Sequence, residues 1–399
     1  MSRVPDRSPA LPATAGQVFA LIRSDQANTR SDIGHLTGLS RTAVAARVNA
    51  LLSSGLVKED AEAPSSGGRP PSRLTFDRDA AVVLAVAIGR SRTQLAVCDL
   101  DGEVRASADV EQEVGTGPDE LMPRVVARFG HLLEEVGVPV ADVKGVGLSI
   151  PGTVDRERGA SLDSPIMRGW EAVELAPYLR TMVEAPVFVD NDAKVMALSE
   201  RRGHLERFHD VLLIKASTGL GAGIITGGRL VRGARGAAGE FGHTKSAASR
   251  DLTCRCGDVG CLEAVAAGWA LVQRMRDQGR KVEHVRDLVD LAQHGDSEAR
   301  RLIRESGRRM GEVLASVVNL LNPEAIVVGG DMAGAYETLV AGLRETLYGN
   351  ATALATNELQ ILPATYGEQS GVVGCAAMAL DHVLSTSQVD LTVLSSSRP

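Results

Sequence analysis

Three of the chain's five cysteines fall within eight positions, in the stretch TCRCGDVGCLEA from Thr253 to Ala264. With His243 upstream they read H-x10-C-x-C-x4-C. Three thiolates and one imidazole form the tetrahedral, soft-ligand set that zinc takes, and Gly257 and Gly260 allow tight turns between the ligands. A disulfide between Cys254 and Cys256 would be strained, because alternate positions point their side chains apart. Reduced, unliganded cysteines are the duller alternative, and this spacing disfavours it. An ion held by His243, Cys254, Cys256 and Cys261 has no open coordination position, so the expected Zn2+ is structural. It would pin the loop and fix the His243 ring. Cys98 and Cys375 sit in apolar segments and read as small core residues. So few thiols do not make a disulfide framework, which favours a reducing, cytoplasmic setting.

The chain's 399 residues, 44% hydrophobic and 23% charged, suit a soluble globular protein of two or three domains. No secretory signal is visible in MSRVPDRSPALPATAG, and the run AAVVLAVAIG is about half the length a membrane helix needs. A membrane partner is therefore not expected. Net charge is −7, unevenly spread: residues 1–80 carry 10 Lys and Arg against 8 Asp and Glu, the remainder 33 against 42. Charge alone would not suggest nucleic-acid binding, so any such contact must come from local geometry in the first segment.

That segment reads as three short helices and a hairpin. AGQVFALIRSD has apolar residues at helical spacing, and a second helix is expected from about Thr29 to Thr37, with a turn at Gly38. In the third, Ser40 is the expected N-cap and Gly55 the stop. Val44, Val48, Leu51 and Leu52 form an apolar stripe; Thr42, Ala46 and Asn49 face the other way, with Arg41 and Arg47 on the flanks. Two helices joined by a short Gly-containing turn are the helix-turn-helix arrangement, whose second helix enters the major groove. The strand–loop–strand that follows is a wing, its loop at about 60–72. There GGRPPSR can lay Arg69 into a narrow minor groove. Residues 1–76 are thus expected to be a winged helix-turn-helix domain contacting DNA through Ser40, Arg41, Thr42, Ala46, Arg47, Asn49 and Arg69. A small helical interaction module is the competing reading.

From about residue 80 strands alternate with helices, an α/β pattern. VVLAVAIG, TQLAVCDL and EVRASADV read as strands, with a turn at Asp101-Gly102. The order recurs in VLLIKAST, GAGIIT and RLVRG, which suggests an internal duplication with a Gly-containing bend between the first two strands of each unit. The expected lobes are 80–190 and 191–385, and residues 386–399, STSQVDLTVLSSSRP in context, read as a disordered polar tail.

GEFGHTKS followed by CRCGDVGCLE resembles the signature of the ROK family (repressors, open reading frames and sugar kinases). LSIPGTV, VDNDA, STGLGAGI and NPEAIVVGG fall in that family's order, so the resemblance spans nearly the whole chain. It implies an actin-like two-lobed sugar-kinase fold and, with the winged helix in front, a sugar-responsive transcription regulator, a repressor rather than an activator. It also implies a sugar site of Asn191, Asp192, Glu240, His243 and Glu263. Three carboxylates could accept from hydroxyls, Asn191 could do both, and His243 could offer the nitrogen that the metal leaves free. Taken singly, Asp192 could be a plain helix cap and Glu263 a solvated first-turn carboxylate. The family often has an Asn in the segment that reads SPIMRGW here, and Ile166 stands in its place.

A sugar kinase needs a base and a phosphate cradle. Asp192 occupies the base position, as a vestige. The resemblance implies Asp-x-Gly-Gly-Thr at the first phosphate bend, where this chain has AIGRS. Ala87 lacks the carboxylate, Gly89 remains, and Arg90 and Ser91 follow. The second bend keeps Thr218, Gly219 and Gly221. Phosphoryl transfer rests on positioning and charge neutralisation, so ATP and Mg2+ are not expected to serve. Arg90 could instead hold an anion, which would suggest a phosphosugar ligand, a reading that ranks low. The leading expectation is a binding protein that partners operator DNA as a homodimer or homotetramer, since one winged helix reads one half-site. The alternative is an ATP-dependent, glucokinase-like sugar kinase with a fused DNA-binding domain.

Overall fold

The structure is a computed structural model that describes residues 13–60, 72–113, 115–163, 167 and 169–396. Arg69 and Ile166 lie outside the described residues. The chain divides into two compact units. One gathers the residues up to Val83, Asp99–Glu103 and the segment from Leu380; the other holds Leu84–Cys98 and Val104–Ala379. Among the described residues no helix is long and apolar enough to cross a membrane.

The first unit contains α1 (Ala15–Arg23), α2 (Arg30–Thr37), α3 (Arg41–Ser53) and the antiparallel strands β1 (Val57–Asp60) and β2 (Arg73–Phe76). Thr14 and Thr29 start α1 and α2 with reciprocal capping boxes to Gln17 and Asp32. Gly38 ends α2 in the left-handed conformation, and Ser40 caps α3 by accepting from the Ala43 N–H at 3.2 Å. Val18, Phe19, Ile22, Ile33, Val44, Val48, Leu51 and Leu74 are buried together, with Phe19 edge-on to Phe76 at 5.6 Å.

The tail expected to be disordered is instead a helix over Thr386–Ser396, in the first unit. It packs on α1, burying Val389 and Val393. Asp390 accepts from the Gly16 N–H at 2.8 Å, filling one of the orphan donors in the first turn of α1. A Cβ on Gly16 would lie 2.0 Å from the Thr386 carbonyl oxygen, so only glycine permits this approach. The Ser- and Thr-rich composition hid a two-residue apolar stripe, one turn apart, that needs a docking partner to order it.

The second unit carries two five-stranded sheets. The first runs in the order β5 (Val104–Glu111), β4 (Arg92–Asp99), β3 (Val82–Ile88), β6 (Val143–Ile150) and β9 (Val187–Asn191), with α4 (Pro118–Val136) after β5. β7 (Thr153–Asp155) and β8 (Ala160–Asp163) form a separate hairpin, and α5 (Ala176–Leu179) precedes β9. The second sheet runs β12 (Arg229–Val231), β11 (Leu220–Thr226), β10 (Val211–Ala216), β13 (Ala325–Gly329) and β14 (Gln360–Pro363). Each places a hairpin-joined trio of strands beside two strands reached by crossovers. This is the internal duplication that the recurring strand order suggests. β3, β10 and β13 are near-continuous apolar runs buried on both faces, as central strands covered by helices must be.

The helices of the second unit are α6 (Asp192–Ser199), α7 (Glu263–Ala266), α8 (Gly268–Asp277), α9 (Val285–Gln293), α10 (Ser297–Leu321), α11 (Tyr336–Asn350), α12 (Ala353–Thr356) and α13 (Ser370–Val383). Asp296 caps α10 by accepting from the Ala299 N–H at 2.8 Å. Its apolar face, including Leu302, Met310 and Leu314, joins Leu271, Leu339 and Leu343 over the second sheet.

Candidate ligand site and metal centre

The site is built where β9 turns into α6. Asn191 caps that helix, its Oδ1 accepting from the Ala193 and Lys194 N–H groups at 3.1 and 3.2 Å. Its Nδ2 donates to the Gly152 carbonyl at 3.0 Å. Asn191 is the N-cap, and Asp192 Oδ1 also accepts from the Ala193 N–H at 2.7 Å, while Lys215 of β10 forms an ion pair with the other carboxylate oxygen. Just upstream, Asp190 takes Arg232 at 2.8 Å and Arg156 at 3.3 Å. Lys194 is fully buried behind these carboxylates, and burial pulls its ammonium below the ordinary lysine range.

Glu240 precedes the single turn Phe241–His243. Burial pushes its carboxyl above the ordinary glutamate range, opposed by Lys194 and His243. Glu263 opens α7 and is not the solvated first-turn carboxylate of the simpler reading. It is 5% exposed. One oxygen accepts from the Leu220 N–H at 2.6 Å and the other from the Trp269 indole at 3.4 Å.

Asn191, Asp192, Glu240, His243 and Glu263 border one cavity of about 210 Å³. The bends at Ala87, Gly89, Arg90 and Ser91 and at Thr218, Gly219 and Gly221 border it too. The first bend is closed by Gly89 N–H to the Arg92 carbonyl at 2.9 Å, so that donor is already used. Arg90 is half-buried, and its Nε is sealed from solvent with no hydrogen-bond partner.

Next to the cavity, His243, Cys254, Cys256 and Cys261 place their ligand atoms within 4.8 Å of one another. Cys256 Sγ lies 3.8 Å from Cys261 Sγ, and Cys254 Sγ lies 3.9 Å from His243 Nδ1. Thiolate–metal bonds of about 2.3 Å at tetrahedral angles separate two sulfurs by about 3.8 Å. The four residues are thus a cluster of the right size to hold a metal ion. The loop is stiffened from behind: Cys254 N–H donates to the Asp258 carbonyl at 2.7 Å, and Ser249 Oγ to the Gly260 carbonyl at 2.9 Å. Lys245 Nζ reaches the Val259 carbonyl at 2.8 Å and Cys261 Sγ at 3.5 Å, where a cation offsets thiolate charge.

On α3, Ser40, Arg41, Thr42, Ala46 and Asn49 are exposed, on the side opposite buried Val44, Val48 and Leu51. Arg47 differs from the expected DNA contact. Its guanidinium donates to the Ala13 carbonyl and, at 3.2 Å, to the Ala43 carbonyl, so the side chain is committed to holding the unit together.

Lys215 in the cavity lining, and Trp269 and Arg255 beyond Glu263, escaped sequence reasoning. A lysine inside the apolar strand VLLIKA was the available signal for Lys215. Arg255 and Trp269, stacked with 4.5 Å between the guanidinium carbon and the ring centre, gave none. Nothing in the spacing says that the metal loop folds over the start of α8.

The ROK family profile matches residues 83–382. The xylose repressor of Caldicellulosiruptor bescii is 28% identical over 92% of this chain and 95% of its own length. The crystal structure of a ROK family transcriptional regulator described as a homologue of the E. coli MLC protein aligns over 96% of this chain and 98% of its own, at 25% identity and TM-score 0.79. A ROK family glucokinase from Streptomyces griseus, in complex with glucose and AMPPNP, is 30% identical with TM-score 0.65. It covers 75% of this chain and 99% of its own.

Proposed function

We propose that this chain, which belongs to the ROK family, is a sugar-responsive, DNA-binding transcriptional repressor that has given up phosphoryl transfer. The observation that carries the reading is a conjunction within one chain. A helix-turn-helix with an exposed, polar α3 face precedes a sugar-type cavity whose first phosphate bend has Ala87 and Arg90. Length supports it: the repressor and regulator match this chain almost end to end, whereas the glucokinase matches three quarters of it.

In this reading the sugar's hydroxyls meet Asp192, Glu240, Glu263 and the free nitrogen of His243, with Asn191 holding the start of α6. Each desolvated hydroxyl wants a partner, which favours a polyol over an apolar ligand. The metal is structural Zn2+, held by His243, Cys254, Cys256 and Cys261, and its contribution is to fix the imidazole that faces the cavity. Asp192 is the weak link for catalysis, because Lys215 already neutralises its carboxylate. A sugar that makes more contacts in one conformation than in another shifts the population between them, and operator affinity follows. Two or more copies are needed, because one α3 reads one half-site.

The test is operator binding by purified, zinc-replete protein at fixed salt, with and without sugars, xylose first. Specific, salt-sensitive binding to the gene's own upstream region is expected, with a change in Kd of about tenfold at saturating sugar, or roughly 1.4 kcal/mol. Arg41→Ala should weaken DNA binding while Arg47→Ala chiefly lowers stability. Sustained ATP turnover with any hexose in a coupled assay would overturn the ranking of repressor over kinase.

A further inference from the structure

Lys215 sits inside the second sheet, on the face that meets α6. Its partners on the two flanking strands are both glycines, Gly221 of β11 and Gly329 of β13. A Cβ on Gly221 would meet Ala193 Cβ at 2.9 Å, and one on Gly329 would come within 2.9 Å of the Met196 methyl. Directly opposed residues in a sheet share a face. The lysine stem therefore runs over α6 between two positions that carry no side chain. Lys215 is the one residue of β10 that is not buried, and it borders the cavity together with Asp192.

The hydrogen bonds separate the two members of this pair. Asp192 Oδ1 accepts from the Ala193 N–H at 2.7 Å and from Asn191 Nδ2 at 3.2 Å, and Oδ2 accepts from Lys215. A carboxylate offers about four lone-pair sites, so most of this one is already taken within the protein. An ammonium has three donors. Among the described residues Lys215 Nζ gives one to Asp192 and makes no other hydrogen bond or ion pair. The capacity that the pair still presents to the cavity is mostly that of a donor.

We infer that Lys215 is a specificity-determining residue for the sugar: braced by Asp192, its ammonium donates to a ligand oxygen, so the site reads an acceptor where a bare carboxylate would read a donor. This rests on the sugar-binding reading above. The pair carries no net charge, so a neutral sugar suits it, with a hydroxyl oxygen or a carbonyl turned towards Lys215. A hydroxyl held in this way presents its oxygen rather than its proton to the pair, the wrong orientation for a base to act on it.

The experiment uses analogues that separate accepting from donating. Fluorine in place of one hydroxyl leaves a weak acceptor and no donor; hydrogen leaves neither. Xylose and glucose, each with its monodeoxy and monodeoxyfluoro analogues, are titrated calorimetrically into the zinc-replete full chain. At one ring position the fluoro analogue is expected to bind at least about fivefold more tightly than the deoxy analogue, because part of a charge-assisted bond survives. Lys215→Met should reverse that order, since the Asp192 carboxylate it uncovers repels fluorine. Lys215→Gln, which keeps an N–H donor without the charge, should retain a smaller preference for fluorine. These are ratios within one protein, so a less stable variant still reports them. A wild-type chain that favours fluoro over deoxy at no position overturns the inference. So does a preference that Lys215→Met leaves unchanged, which would place the donor on His243. If sugars bind and shift operator affinity while every fluoro analogue falls with its deoxy counterpart, the Lys215 contact falls and the repressor reading stands. If neither sugar nor any analogue binds, and operator affinity ignores them, both fall.

Discussion

The two sheets of the second unit share one strand order, yet their first hairpin bends have diverged. The bend after β10 is braced from outside its own hairpin. Glu263 accepts from Leu220 N–H at 2.6 Å; the carbonyls of Ser217 and Thr218 accept from Gly268 and Trp269 at 2.9 and 3.0 Å; Ser217 Oγ bonds Asp331. The bend after β3 is closed within its own three strands. Gly89 N–H meets the Arg92 carbonyl, and Gln112, just past β5, donates to the Gly89 carbonyl at 3.0 Å. A bend that carries the metal loop on its back cannot drift without disturbing α7, α8 and four metal ligands. The bend that lacks such a backing carries Ala87 and Arg90 instead. The two bends thus share a position in the strand order but not the elements that hold them.

Removing the metal should break the comparison most visibly. Chelation, or Cys256→Ser, is expected to cost several kcal/mol and abolish the sugar response, because structural ion binding is itself folding free energy. Hydrogen exchange should rise in β10–β12 and the loop at 243–261, with little change in β3–β5. Equal loss of protection in both sheets would mean that the ion does not brace the second one selectively. Gly223→Ala comes next. Its Cβ would meet Ala197 Cβ at 2.4 Å and the Ala193 carbonyl oxygen at 2.8 Å. Forcing β11 off α6 should cost about 1–3 kcal/mol in denaturant unfolding and weaken sugar binding with it.

Lys215→Met should cost roughly 1–3 kcal/mol, since it strands the Asp192 carboxylate in a partly buried cavity. A thermal shift of zero would show that the pair contributes nothing there. The smallest effect is expected from Ala87→Asp. Ala87 packs against Gly371, whose added Cβ would come within 2.9 Å of it. The new carboxylate should leave ATP turnover at background, because Arg90 and the Lys215–Asp192 pair remain. Measurable hexose phosphorylation by that single variant would mean that one lost charge separates the two bends functionally.

Much of this was legible in the sequence because it is local. The cap at Ser40, the alternation of strands and helices after residue 80, and the doubled hairpin order all follow from short-range pattern. The cysteine spacing points to the four candidate metal ligands, since a soft-donor set so close in sequence has few other uses. The family resemblance carried the five cavity residues, and all five line one cavity in the structure. What could not be read were partnerships between residues far apart in the chain. Arg47 looks like a DNA contact until Ala13 offers it a carbonyl 34 residues away. Thr386–Ser396 looks frayed until Gly16 lets it approach α1.

By itself, then, the sequence determined most of the helices, strands and loops, the Thr386–Ser396 helix excepted, and which side chains are chemically fit to ligate a metal or meet a hydroxyl. Those properties depend on residue type and on neighbours a few positions away. Only the tertiary structure decided what each charge faces. It gave Asp192 a lysine, gave Glu263 an amide and an indole, and left Arg90 Nε buried without a partner. The reason is physical: the electrostatic fate of a group is set by burial and by whatever folds against it, and neither is written in its own stretch of chain.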